Sequence, residues 1–423
     1  MSEETFLSDK FLNELTAVGE VDILVGIPTA NNAATVAHVL TALQIGLIKY
    51  FPRARSVLVN ADAQSRDGTA EAVAKATIED YSTLLTSSPL RTMHRLTTSY
   101  HPNLGKGGAW RIFVAAADLL RAKACAVLSA DLESITPEWV ESLIRPVYRD
   151  GFDVVTPAYQ RPEFSGLLIK NIVSPMIGGV YGRALREPAG PEVGFSARLA
   201  SNLLNADTWA EDAVRFAPEL WATTTAIVNH YKICQSFLGP KPPASRHSTP
   251  DLVDSIRQIV GALFRFTELH APFWNERKEA EAVPNFGLGY TVGLEAVRVQ
   301  RRQMLQTFHK GIAELDSIMG SILSPQTLAE LKAISGSADD HFSYPDELWV
   351  KTIYDFAAAY HHSVINRDHL LQALAPLYQG RASGFVAEKP KDGLRALDQR
   401  LEQLSHQYEL GLPYLIDRWA AKS

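Results

Sequence analysis

Ala126-Val127-Leu128-Ser129-Ala130-Asp131-Leu132-Glu133-Ser134-Ile135-Thr136-Pro137-Glu138-Trp139 is the stretch whose reading decides the fold. The apolar run 126–128 reads as a buried strand of a mostly parallel sheet. Thr136 reads as an N-cap, with Pro137 at the first helical position and Glu138 in the first turn. Asp131 and Glu133 then fall just past the carboxyl end of the strand, the edge at which open α/β sheets bind their ligands. A carboxylate there suits a hard divalent cation, and such a cation suits a diphosphate. The plainer reading is a surface acid that starts a loop, and the rest of the chain has to outweigh it.

Working outward, Val21-Asp22-Ile23-Leu24-Val25-Gly26-Ile27 reads as the first core strand, closed by Pro28-Thr29, after a short helical lead-in over 1–20. Val36, Val39, Leu40, Leu43 and Leu47 recur at helical spacing. Ser56-Val57-Leu58-Val59-Asn60 makes a second strand, followed by an Ala-rich helix over 70–77. Residues 91–100 supply a further strand, ending before His101-Pro102-Asn103-Leu104-Gly105-Lys106-Gly107-Gly108. This Gly-rich loop opens a helix and offers backbone N–H groups, a positive dipole end and an ammonium to an anion. It lacks the spacing and the Ser or Thr of a Walker A loop. Asp153-Val154-Val155-Thr156-Pro157 and Ile233-Cys234-Gln235-Ser236-Phe237-Leu238 read as strands. Helical patterns cover 165–187 and the stretch from Glu219 to Ile227. The rhythm of strand and helix implies right-handed crossovers and a doubly wound sheet.

Beyond Asp251 the pattern becomes helical, over 251–270, 293–323, 326–335, 345–363 and 391–409. We place a boundary near residue 270, giving a catalytic α/β domain over 1–270 and a helical domain over 271–423. Trp349, Ile353, Phe356 and Tyr360 fall on one helical face behind the capping-box-like Ser343-Tyr344-Pro345-Asp346.

A hydrophobic fraction of 46% is that of a globular enzyme. A net charge of −6 without a basic run argues against nucleic-acid binding. Two cysteines, Cys125 and Cys234 in apolar surroundings, make neither a disulfide framework nor a Cys-x-x-Cys metal site. The start of the chain is acidic and unlike a signal peptide, and no window approaches roughly 18–20 uninterrupted apolar residues. A cytoplasmic protein without a membrane span is expected.

In order, the chain carries Ile-Pro-Thr-x-Asn-x after strand one, then Ala61-Asp62-Ala63-Gln64-Ser65-Arg66-Asp67-Gly68-Thr69, then Gly-Lys-Gly, Ala130-Asp131, Glu192, Glu219 and His247. This set resembles the nucleotide-sugar glycosyltransferases of the GT-A fold, whose pattern runs Ile-Pro-x-Tyr-Asn-Glu, Val-Asp-Asp-Gly-Ser-x-Asp-Gly-Thr and an Asp-x-Asp metal motif. Within that fold it is similar, over about residues 20–265, to the retaining mannosylglycerate, glucosylglycerate and glucosyl-3-phosphoglycerate synthases. Leu104-Gly105-Lys106-Gly107 matches their Pro-Gly-Lys-Gly loop. Tyr159-Gln160-Arg161-Pro162 is similar to an element near the acceptor, and Glu187-Pro188-Ala189-Gly190-Pro191-Glu192 to a turn at the donor sugar.

The resemblance implies a GT-A catalytic domain with a helical C-terminal domain, and roles for individual residues. Pro28, Thr29, Asn32, Asp62, Lys106, Ala130, Asp131 and Gly190 face the donor, with Asp62 towards the base and Lys106 towards the diphosphate. Arg161, Glu219 and Thr223 serve the acceptor, and Glu192 and Glu219 are the catalytic candidates. Asp131 and His247 hold Mg²⁺ or Mn²⁺, with Glu133 left open as a further ligand. The partners implied are a UDP-, GDP- or ADP-hexose and a small anionic acceptor such as glycerate, with homodimerisation through the helical region compatible with the resemblance.

Departures exist. Ser129 stands where the first acid of Asp-x-Asp belongs, Asn32 replaces a Glu, and Pro191 removes an N–H from the donor-sugar turn. Two other readings stay open. One is an inverting, family-two-like transferase acting on a glycan or lipid, though the Gln-x-x-Arg-Trp motif and membrane spans of such synthases are missing. The other is an inactive nucleotide-sugar-binding protein, which calorimetry with nucleotide sugars would expose.

Overall fold

Strands that are buried along their whole length need cover on both faces, and the central strands of this chain are of that kind. In the computed structural model, which describes residues 6–76, 93–242, 251–276, 280–287, 289, 292–295, 297, 299–388 and 394–421, they form one sheet. The strands are β1 (Ile23–Thr29), β2 (Ser56–Asp62), β3 (Met93–Ser99), β4 (Ala124–Val127), β5 (Val154–Gln160), β6 (Val193–Ser196), β7 (Ile233–Pro240) and β8 (Asn285–Phe286). Their spatial order is β3-β2-β1-β4-β6-β5-β7-β8. All pairings are parallel except those of β6, which runs against both β4 and β5. The expected α/β class with a mostly parallel, doubly wound sheet is what the chain adopts. Strand β3 is half-exposed, as its place at the sheet margin requires.

The helices that alternate with the first strands are α1 (Asp9–Val18), α2 (Val36–Tyr50), α3 (Thr69–Lys75), α4 (Gly105–Leu119) and α5 (Glu138–Tyr148). The Ser8 hydroxyl caps α1 by accepting the Phe11 N–H at 3.3 Å. Helix α5 starts one residue later than the Thr136 cap implies, with Pro137 at the cap position and no side-chain capping bond. It lies directly on β6: a Cβ added at Gly194 would sit 2.2 Å from the Leu143 carbonyl oxygen, so only glycine fits there. Ile23, Val25 and Ile27 of β1, Leu40 and Leu43 of α2, and Leu143 and Ile144 of α5 share one core.

Two compact units result, and neither is contiguous. The first comprises Met1–Gln160, Ala189–Lys241 and Val283–Val292; the second comprises Arg161–Pro188, Pro242–Ala282 and Gly293–Ser423. A single boundary near residue 270 therefore does not divide the chain: 161–188 and 242–270 group with the helical C-terminal segment. The second unit is helical throughout its main segments, including Ser174–Tyr181, Gly261–Leu269, Asp346–His362, Arg367–Ala387 and Leu394–Leu410. Helicity over 165–187 stops at Tyr181, where Gly182 takes a left-handed conformation. The stretch 293–323 holds two helices, Arg301–Glu314 and Asp316–Ile322. The capping box before Asp346 does not form.

Inside this second unit Asn171 is a hub. Its carbonyl accepts from the Trp349 indole and the Tyr408 hydroxyl, both at 2.9 Å, and its Oδ1 accepts from Arg381 at 3.1 Å. Arg381 has no exposed side chain and donates onward to the Tyr344 carbonyl (2.7 Å) and Asp346 (2.6 Å). A fully buried guanidinium is tolerated only when its donors are placed in this way. No helix among the described residues is long and apolar enough to cross a membrane.

Burial pushes the His270 imidazole down to about 4, and its Nδ1 lies 3.1 Å from the Tyr181 hydroxyl. Folding thus favours the neutral ring, so its contribution is full above the unfolded value near 6.5 and is lost as pH falls towards 4. Denaturant titrations at pH 7 and pH 4.5 should show wild type losing on the order of 1–3 kcal/mol more than His270→Gln over that interval.

Candidate functional site

Because seven of the strands paired above run in one direction, their carboxyl ends share one edge of the sheet, and reversed β6 brings its amino end to the same edge. The register Val127↔Val193 sets Glu192, one residue before β6, beside the segment that leaves β4 for Asp131. Tyr159 is the penultimate residue of β5 there, and Lys241 follows β7. Helix α4 begins just past β3, and the helix Pro218–Val228 carries Glu219 in its first turn. Lys106 and Glu219 meet at 3.8 Å. Residues from six distant stretches of sequence thus converge, all within the first unit.

At the β1–β2 end, Asp62 ties two loops together. Its carboxylate accepts from the Thr29 hydroxyl (2.7 Å), the Ser65 N–H (2.8 Å) and the Ser65 hydroxyl (2.6 Å). Asn32 accepts the Ala30 N–H at 2.7 Å and donates its own N–H to the Thr69 hydroxyl at 2.8 Å. Asp67 accepts from Ala33 and Thr69, and the Thr69 hydroxyl, then the Ala33 N–H, hold its pKa below the ordinary value. Tyr100, whose N–H bonds the Asp62 carbonyl, is pushed up to about 12 by burial and by the Asp62 charge. Pro28 and Thr29 belong to β1 itself rather than to a loop after it.

The Gly105-Lys106-Gly107-Gly108 run is not a loop but the first turn of α4. Its glycines answer to packing: a Cβ at Gly107 would lie 2.8 Å from the Val214 carbonyl oxygen, and one at Gly105, where φ is +57°, would lie 2.7 Å from that of Arg215. Lys106 stands on this turn with a side chain 57% exposed, at the positive end of the helix. The turn therefore holds an ammonium at the edge, as the sequence implied, by a tighter structure than a flexible loop.

Glu192 is the electrostatic centre of the edge. It has no exposed surface, its Oε2 accepts from the Lys241 ammonium at 2.8 Å and from the Tyr159 hydroxyl, and its Oε1 is buried without a partner among the described residues. Burial raises its pKa first; Lys241 opposes this by charge and hydrogen bond, Asp131 adds to it, and Lys106 opposes it. The expectation that Glu192 faces donor hydroxyls is not met in this conformation, because a carboxylate without surface serves Tyr159 and Lys241 instead. Lys241 was not singled out from the sequence: it stands alone in a Pro-rich stretch, and only the end of β7 marks it.

Asp131 and Glu133 are exposed, and the Ala130 carbonyl accepts the Thr35 hydroxyl at 2.7 Å. Among the described residues no group of three or more His, Cys, Asp and Glu side chains is placed to hold a metal ion, and His247 lies outside the described residues. The donor chemistry at Asp131 still fits a hard cation, since an open carboxylate within electrostatic reach of a second, buried one invites positive charge. Gly190 is buried in the turn before β6. Glu219 is nearly buried, and Thr223, one helical turn on, spends its hydroxyl on the Glu219 carbonyl at 2.9 Å, so it is a helix residue more than an open donor. Arg161 belongs to the second unit, where Glu187 takes its fork in two bonds of 2.5 and 2.9 Å. The planar grip expected for an acceptor carboxylate is thus given to a residue of the chain itself.

No protein-family model matches the sequence, and no curated protein matches it. Among solved structures the chain is similar to the glucosyl-3-phosphoglycerate synthase of Mycobacterium tuberculosis. In its complex with phosphoglyceric acid the identity is 18%, over 60% of this chain and 83% of that one, with a TM-score of 0.39. In its complex with Mg²⁺ and uridine diphosphate the figures are 17%, 60%, 83% and 0.42. A further mycobacterial protein matches at 21% identity over 60% and 77%, with a TM-score of 0.41.

Gly107→Ala tests the packed turn. The methyl group meets backbone atoms that cannot step aside, so denaturant unfolding should show a net loss of about 1–2 kcal/mol despite the helix-favouring change.

Proposed function

We propose that this chain is a GT-A glycosyltransferase that moves a hexose from a nucleoside diphosphate sugar to the hydroxyl of glycerate or a close relative. The observation that carries the reading is the convergence of Asp131, Lys106, Glu219, Glu192 and Lys241 on one sheet edge, next to the latched loops of Asp62. An edge with acids for a cation and ammonium groups for anions is what transfer from a diphosphate requires.

The carboxyl ends of β1 and β2 and the loops that follow them, with Pro28, Thr29, Asn32 and Asp62, hold the nucleoside. Lys106, on the first turn of α4, takes the diphosphate, where the helix dipole adds to its charge. Asp131, with His247 as the second ligand implied by the motif, would hold Mg²⁺ or Mn²⁺, which supplies positive charge against the departing diphosphate. Glu219, close enough to Lys106 to be oriented by it, lies next to where the acceptor hydroxyl must approach and accepts its hydrogen bond. Gly190 sets the turn under the hexose. The motif resemblance supports retention of anomeric configuration.

Incubating the protein with UDP-, GDP- and ADP-hexoses, with D-glycerate and 3-phosphoglycerate as acceptors, and reading the products by NMR tests this directly. A glycosylated acceptor with the donor's anomeric configuration is expected; hydrolysis alone, or no product with any pair, overturns it. Asp131→Ala, at an exposed site, should leave the thermal midpoint unchanged. It should lower kcat/KM on the order of 10²–10³-fold, and chelator should have a similar effect on the wild type.

A further inference from the structure

We propose that Lys241 holds the acid group of the acceptor, with Glu192 and Tyr159 as the residues that position its ammonium. The inference rests on the glycosyl-transfer reading for the word acceptor, and on the geometry of the edge for the rest.

Lysine carries three N–H donors. One goes to Glu192 Oε2 at 2.8 Å, and the ammonium sits 4.4 Å from the centre of the Tyr159 ring, a cation–π contact. Its backbone N–H is tied to the Gln160 carbonyl at 2.9 Å, which fixes the stem at the end of β7. The side chain keeps 16% of its surface, whereas Glu192 keeps none. What the edge presents to a ligand at this point is therefore the cation and not the acid that grips it. A buried carboxylate–lysine pair repays its desolvation only where its geometry is good and its remaining polar atoms are satisfied, and Glu192 Oε1 has no partner among the described residues. Here the pair holds an ammonium that, among the described residues, spends one donor on a side chain.

Position along the sheet selects the ligand. The latched loops of Asp62 lie at β1 and β2, Asp131 lies after β4, and Lys241 lies after β7, three strands further along the order β4-β6-β5-β7. At a strand spacing of about 4.8 Å that separation is about 14 Å. A donor laid from β2 to β4 ends its diphosphate near Asp131 and Lys106, and the group beyond the hexose is the acceptor. Lys106 and Lys241 both act on Glu192, so an anion of two charged ends would meet a cation at each. The chain shows no basic cluster in sequence because the two lysines come from different segments of the unit.

Calorimetric titration of the full chain with D-glycerate and with 3-phosphoglycerate, alone and with UDP and Mg²⁺ present, reads this without turnover. Lys241→Met should weaken binding of at least one acid on the order of 10- to 100-fold, the range for a lost charged hydrogen bond, and Lys241→Arg should restore most of it. The thermal midpoint should stay near wild type, because Glu192 can take up a proton when its partner is removed. Equal affinity in wild type and Lys241→Met, or no heat from either acid under any condition, overturns the inference even if hexose transfer occurs. In steady state, Lys241→Met should raise the acceptor KM and leave the donor KM in place. A rise in the donor KM alone would assign Lys241 to the diphosphate and overturn the inference, while leaving glycosyl transfer intact. Absence of transfer by the wild type would remove the glycosyl-transfer reading, and the titration would still decide whether Lys241 holds the acid.

Discussion

Strand β6 runs against β4 and β5, and its register brings Val193 opposite Val127, so the residue before it is delivered to the edge where every other strand ends. A uniformly parallel sheet would have placed Glu192 at the far side, away from Asp131, Tyr159 and Lys241. The close seat of α5 on Gly194 holds this short strand in place. From it follow the buried carboxylate, its grip on Lys241, and the electrostatic coupling of five charged groups drawn from five stretches of chain.

Much of this was legible in the sequence. Strands β1, β2, β4, β5 and β7 announce themselves as short apolar runs ending at Pro, Asp or Gly, and α2 by its helical spacing. Asp131 and Glu219 could be placed at a strand end and a helix start from local signals, and both lie at the edge. Strand β6 could not be seen: Val193-Gly194-Phe195-Ser196 is short, carries a glycine, and follows a turn rich in proline, so nothing local separates it from loop. The helix Arg367–Ala387 was missed for a related reason, since Pro376, Gly380 and Gly384 argue against it and only tertiary packing offsets them.

The Gly-Lys-Gly run shows how a residue can reach the expected edge of the sheet on a different local picture. Composition suggests a loop that bends around a phosphate, yet the glycines are small because Val214 and Arg215 pass close by. Arg161 shows the converse. Its residue type suits a carboxylate, and a carboxylate does hold it, but that carboxylate is Glu187. A charge pattern read along the chain cannot say which partner folding will choose.

The interleaved division of the chain has a consequence for biosynthesis. Strands β4 and β5 leave the ribosome before β6, which must later enter between them; β7 follows only after the helical segment 197–228, and β8 only after the residues up to 284. The nascent sheet therefore carries two unfilled edges, and it closes by insertion of a late strand instead of growth at its rim. Such non-local closure is slow relative to helix formation. A nascent chain arrested before residue 193 should accordingly expose paired-strand margins that attract chaperones or neighbouring chains.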